Sequence, residues 1–119
     1  MAITIYHNPR CSKSRKTLEI IEAAGISPEI VKYLDSPPDA GRILELAAVL
    51  GVAVADLLRR NEDEFRNADD LPQLDDDDAL AAWIAKHPRV LQRPIVVDAA
   101  AGVAIIGRPP ENVHPLLQS

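Results

Sequence analysis

The chain has one cysteine, Cys11, among its 119 residues. No internal disulfide can form, and any disulfide chemistry needs a second molecule. Aromatic residues are almost as scarce, with one Trp, one Phe and two Tyr, so Leu, Ile, Val and Ala must fill the core. No apolar run approaches the roughly 20 residues that span a bilayer. The N-terminus enters a strand pattern directly, without the charged-then-apolar start of a signal sequence. These absences predict a cytoplasmic protein of one domain, in a compartment that keeps thiols reduced. One Cys and three widely spaced His offer no metal-ligand spacing. Without a heptad seam, a small charged chain is expected to be a monomer.

The net charge of −5 argues against non-specific nucleic-acid binding. Its distribution says more than its sum. Arg10, Lys13, Arg15 and Lys16 crowd the cysteine, and acidic residues gather from Glu62 to Asp78. A basic cluster around the one thiol predicts a small anionic substrate. Taken singly, Lys13, Arg15 and Lys16 are ordinary solvated helix charges. The run Asp75 to Asp78 precedes Leu80, Trp83 and Ile84, and reads as a helix cap that complements the positive end of the dipole. A hard-cation site would need oxygens converging from a folded loop.

Hydrophobic periodicity predicts strand, helix, strand, several helices, strand, strand, short helix. Ile3 to Tyr6 is the first strand. A helix from about Ser12 to Ala24 carries Leu18, Ile21 and Ala24 on one face, with Ile20 beside them and Gly25 as its C-cap. A second strand lies within Pro28 to Tyr33. Ser36-Pro37-Pro38-Asp39 reads as a helix start, followed by Ile43, Leu46, Ala47 and Leu50 at helical spacing up to Gly51. Asn61 to Leu74 reads as loop with a short helix. Ile95-Val96-Val97 and Val103-Ala104-Ile105-Ile106 form an antiparallel hairpin across a short connection. Pro109-Pro110-Glu111 opens a last short helix. A βαβ unit at one end and a ββα unit at the other predict an α/β domain over 1–119. Its layout is thioredoxin-like, a mixed four-stranded sheet with flanking helices and a helical insertion at about 36–88.

Cys11 falls at the strand-to-helix turn, where backbone N–H groups and the helix dipole favour an anion. Such placement, with nearby cations, lowers a thiol pKa and makes the thiolate a nucleophile. The helix start, Arg10 and Arg15 are expected to supply that effect. His7, at the end of the strand, would support the thiolate as imidazolium. A phosphatase loop is excluded, since its arginine would fall on Thr17. A dithiol centre is excluded because the fourth position of Cys-x-x-Cys is Ser14. A Cys–His protease pair using His7, His87 or His114 lacks any cleft signal. An activated monothiol that attacks an oxyanion or a disulfide remains.

Five segments then carry a resemblance: His7-Asn8-Pro9-Arg10-Cys11-Ser12-Lys13-Ser14-Arg15, Tyr33-Leu34-Asp35-Ser36-Pro37-Pro38, Leu57-Leu58-Arg59-Arg60-Asn61, Gln92-Arg93-Pro94-Ile95-Val96-Val97 and Gly107-Arg108-Pro109-Pro110. In this order and spacing the chain resembles the glutaredoxin-coupled arsenate reductases over nearly its whole length. The resemblance implies a thioredoxin-like fold and a set of roles. Cys11 would be the nucleophile, with His7, Ser14 and Arg15 beside it. Arg59, chosen over Arg60 from the Leu-Leu-Arg order, would bind the oxyanion with Arg93 and Arg108, since a guanidinium fork matches a tetrahedral anion. Pro94 would be a cis-proline opposite the cysteine. Arsenate would be the substrate, glutathione a co-substrate and glutaredoxin the protein partner, with no bound cofactor or metal. Two other readings fit parts of this pattern. One is a related glutathione-dependent thiol reductase with another substrate, and the other is a thioredoxin-fold regulator that binds RNA polymerase.

Overall fold

The computed structural model describes residues 2–117. These divide into two compact units, one of residues 2–33 with 93–117 and the other of residues 34–92. The second unit brackets the helical insertion expected at about 36–88.

The first unit is built on a four-stranded sheet. Strand β1 (Ile3–His7) leads into helix α1 (Ser12–Ala23) and strand β2 (Glu29–Lys32), while strands β3 (Ile95–Asp98) and β4 (Val103–Ile106) come from the other end of the chain. The sheet order is β2-β1-β3-β4. β1 pairs in parallel with β2, and the β1/β3 and β3/β4 pairs are antiparallel. This mixed sheet is the thioredoxin-like arrangement expected from the βαβ and ββα halves.

The central strands β1 and β3 are buried along most of their length, and their side chains form the core. Ile3, Ile5, Ile21, Val96, Val113 and Leu116 make one cluster, with Leu18, Ile20 and Ile26 packed on it. Val113 ends a 3₁₀ turn (Pro110–Val113) and Leu116 lies in the short helix α5 (His114–Leu117). Helix α1 ends in a Schellman motif: Gly25 N–H donates to Glu22 O at 3.0 Å and Ile26 N–H to Ile21 O at 3.4 Å. Gly25 takes φ +80° there, a conformation that costs a residue with a Cβ. The hairpin after Asp98 is tied by that carboxylate, which accepts the N–H groups of Ala2 and Ala100, each at 3.1 Å. The Ala2 N–H, ahead of the turn amides, holds the Asp98 pKa below the usual carboxylate range.

The face of α1 that is buried differs from the expected apolar one. Ser14, Thr17 and Ile21 are its buried residues, while Ala24 is exposed. Two polar residues tolerate burial because their hydroxyls are bonded. Thr17 donates to Lys13 O at 2.8 Å, and the partners of Ser14 belong to the site described below.

In the second unit, helix α2 (Ala40–Leu50) packs on helix α4 (Asp77–Lys86), with the four-residue helix α3 (Asp63–Arg66) between them in sequence. Their shared interior holds Ile43, Leu46, Leu80, Trp83 and Ile84. The cap of α2 is Asp39, whose carboxylate accepts Arg42 N–H at 2.8 Å. The helix therefore begins after Ser36-Pro37-Pro38. Asp76 caps α4, accepting Ala79 N–H at 3.2 Å, which is the role expected of the aspartate run. Trp83 donates to Asp70 at 3.0 Å and stacks on His87, which also bonds Glu64 at 3.1 Å. Chain entry and exit are joined by Arg59 N–H to Val90 O at 2.6 Å and Gln92 N–H to Leu57 O at 2.7 Å. Among the described residues, no helix is long and apolar enough to cross a membrane.

Gly107 closes the first unit. Its N–H donates to Pro94 O at 2.8 Å, and a Cβ on it would lie 2.7 Å from Thr17 Oγ1 and 2.8 Å from Pro94 Cγ. Both neighbours are held in place, Thr17 by its own bond within α1 and Pro94 by its ring. Gly107→Ala is expected to cost about 1–3 kcal/mol by overpacking. Urea unfolding monitored by the far-UV signal measures it, and an unchanged midpoint would show that the contact relaxes freely.

Candidate active site

The segment between β1 and α1 is shaped by short local bonds. Asn8 Oδ1 accepts Arg10 N–H at 3.0 Å, an Asx turn. Cys11 N–H donates to Asn8 O at 3.0 Å, and Arg15 N–H closes the first helical bond on Cys11 O at 3.0 Å. Cys11 is thereby the N-cap of α1, with extended backbone and a partly exposed side chain. No hydrogen bond of ordinary geometry caps the helix through the sulfur. The Ser14 and Lys13 N–H groups act on it as dipoles of the first turn.

Burial works to raise the Cys11 pKa, but the Ser14 N–H, the Arg93 guanidinium and the Lys13 N–H together outweigh it, and the pKa is lowered. Arg93, not Arg10 or Arg15, is the side chain that stabilises the thiolate. Arg15 instead donates from Nη1 to Pro9 O at 2.8 Å, bracing the turn before the cysteine. The expectation drawn from the local basic cluster is corrected accordingly. Neighbours in sequence on an exposed helix face diverge in space, whereas Arg93 arrives from the head of β3.

Ser14 is fully buried. Its hydroxyl accepts Asn8 N–H at 3.0 Å and lies 2.6 Å from His7 Nδ1. Burial, then Lys32 and Arg15, lower the His7 pKa, so the ring is neutral near pH 7. The imidazolium expected beside the thiolate is thus replaced by a neutral histidine bonded to Ser14. Desolvation decides this, which strand-end position alone does not reveal.

The opposite wall comes from the far end of the chain. The Arg93–Pro94 bond is cis, as is the Arg108–Pro109 bond. Arg108 Nη1 donates to Arg93 O at 3.2 Å, tying the two arginines together. Arg59, in the helical unit, is partly buried and pairs through Nη1 with Glu62 Oε1 at 3.0 Å, while Arg60 is exposed. Among the described residues, no group of three or more His, Cys, Asp or Glu could hold a metal ion.

Comparison with known proteins finds relatives along nearly the whole chain. The sequence pattern of the ArsC family matches residues 6–116. The chain belongs to the ArsC family. A relative from Neisseria meningitidis serogroup A, named an arsenate reductase, is 47% identical over 117 residues, covering 97% of each chain. An arsenate reductase of Escherichia coli is 40% identical over 116 residues, which is 98% of this chain and 81% of that one. The solved structure of an arsenate reductase from Vibrio cholerae superposes with a TM-score of 0.84 at 41% identity, covering 97% of both chains.

Asn8, Thr17, Tyr33 and Gly107 were not singled out from the sequence, although all but Thr17 lie in the segments that carry the family resemblance. Asn8 shapes the turn, Thr17 and Gly107 seat the loop that carries Arg108, and Tyr33 lies within electrostatic reach of Arg93. A polar residue on the predicted inner face of α1 was the one local signal for Thr17.

The electrostatic origin of the thiolate is directly measurable. Iodoacetamide alkylation of Cys11 should stay fast below the usual thiol range and then fall about tenfold per pH unit beneath the lowered pKa. Arg93→Ala should move that fall to higher pH, since the guanidinium no longer favours the charged form. Arg15→Ala should leave it in place, and a larger shift from Arg15→Ala than from Arg93→Ala would reverse the assignment.

Proposed function

We propose that this ArsC protein reduces arsenate to arsenite through an arseno-thiol intermediate on Cys11, with glutathione and glutaredoxin as reductants. The observation that carries the reading is the lone thiol at the start of α1, its pKa lowered by first-turn amides and by Arg93. Relatives of the same length named arsenate reductases support the choice of substrate.

The Cys11 thiolate attacks arsenic(V), forming an S–As bond as one oxygen leaves as water. Glutathione then adds its thiol in the same way. Glutaredoxin attacks the glutathione sulfur, the electron pair of that S–As bond passes to arsenic, and a mixed disulfide forms. Arsenic goes from the +5 to the +3 state as two outside thiols become one disulfide. Hydrolysis frees arsenite and returns Cys11. The chain's single cysteine suits this scheme, because both oxidised thiols come from other molecules, as expected in the reducing cytoplasm.

Arg93 and Arg108 would neutralise the bound anion and follow its charge as oxygen departs. Arg59 takes the same task from its place in the family segment. Ser14 and His7 serve the turn that aims the sulfur. Phosphate matches arsenate in charge and shape, so discrimination falls to the redox step rather than to binding.

Arsenite formation by the purified protein with arsenate, glutathione, glutaredoxin and a recycling system tests the proposal. Cys11→Ser is expected to abolish turnover with the fold intact. Arg93→Ala should lower kcat/KM by about 10²–10³-fold, the scale for losing one oxyanion donor, while Lys16→Ala stays near wild type. Turnover surviving in Cys11→Ser removes the nucleophile. No turnover in a wild-type protein whose thiol still reacts favours another glutathione-linked substrate or a regulatory role.

A further inference from the structure

Tyr33 follows β2 directly and is 0% exposed. Its hydroxyl oxygen is closed to water and has no hydrogen-bond partner among the described residues. Buried polar groups are nearly always paired, and one left open costs about 1–3 kcal/mol. Arg93 and Asn8 are the polar side chains that act on this oxygen, and the Cys11 sulfur is within electrostatic reach. Neither Arg93 nor Asn8 closes a bond to it by ordinary geometry. Burial, against the pull of Arg93, holds the Tyr33 pKa above the usual phenol range. The group therefore stays neutral and does not compete with the thiolate for the guanidinium.

One guanidinium thus has the Cys11 sulfur and the phenol oxygen within range. It carries five N–H donors in a fixed plane. Forking two of them onto an anion fixes the plane's orientation and frees another edge. Of the two side chains that act on this buried acceptor, Arg93 and Asn8, the guanidinium is the charged one and the one that also serves the sulfur.

We propose that Tyr33 is a positioning residue for Arg93, its oxygen standing open in the free protein and accepting a guanidinium N–H when Arg93 turns its fork onto an anion at Cys11. The inference rests on the oxyanion reading of this site and adds a residue that acts through Arg93. The open hydroxyl disfavours the free state, and its closure in the filled state appears as added affinity for the anion.

The test uses inorganic arsenate as the probe and its protection of Cys11 from iodoacetamide as the readout, which needs neither reductant nor turnover. Tyr33→Phe keeps the ring and removes the oxygen. The apparent Kd for arsenate should rise about 5- to 30-fold, the scale of one hydrogen bond, with the Cys11 pKa of the free protein unchanged. The melting temperature should hold or rise, because an unpaired buried group has been deleted. In an Arg93→Ala background, titrated to higher arsenate, Tyr33→Phe should add nothing further. Equal protection in wild type and Tyr33→Phe overturns the inference, and so does an effect that persists without Arg93. A lower melting temperature with unaltered Kd assigns the hydroxyl to packing and likewise overturns it. If arsenate fails to protect the wild type, the oxyanion site itself falls and this pair with it. Protection of the wild type with no effect of Tyr33 removes the pair alone.

Discussion

The hydroxyl of Ser14 accepts the Asn8 amide and shares a hydrogen bond with His7 Nδ1 while wholly closed to water. This small bond set joins the end of β1 to the first turn of α1. It holds the residues between them in the turn that leaves Cys11 at the N-cap. Without the hydroxyl, a buried amide and a buried ring nitrogen would each lack a partner, at about 1–3 kcal/mol apiece. The sulfur's position at the positive end of the helix, and hence its charge state, depends on this bond set.

Around that turn the electrostatics are assembled from distant parts. The thiolate is favoured by two amides of its own helix and by Arg93 from the other half of the sheet. Arg93 is seated by the head of β3 and is bonded through its carbonyl to Arg108. The loop carrying Arg108 lies down because Gly107 has no Cβ to meet Thr17 and Pro94. Core packing and the loop that carries Arg108 meet at Thr17 and Gly107, where a single added carbon would disturb both.

Much of the fold was legible because its signals are local. Alternation in Ile3–Tyr6 and the hairpin runs, the breakers at Gly25 and Gly51, and the capping aspartates each report on a few neighbouring residues. Cys11 was legible for the same reason, as a lone thiol between a strand and a helix. What stayed hidden depends on contacts across the sheet. Arg15 is close to Cys11 in sequence, yet it braces Pro9, while Arg93 serves the sulfur. The inner face of α1 is partly polar because Ser14 and Thr17 find partners that periodicity cannot supply. His7 is neutral because it is buried, and burial is set by the whole first unit. The second cis bond, at Arg108–Pro109, had no local marker beyond the proline itself.

The first unit joins two stretches of the chain that the helical insertion separates, residues 2–33 and 93–117. β1 takes its parallel neighbour β2 from nearby and its antiparallel neighbour β3 from beyond that insertion. Cys11 has the Ser14 and Lys13 amides from its own helix, but Arg93 only through that distant pairing. The full activation of the sulfur is therefore tied to the closing of the sheet, and a molecule in which β3 is not seated carries a weaker nucleophile.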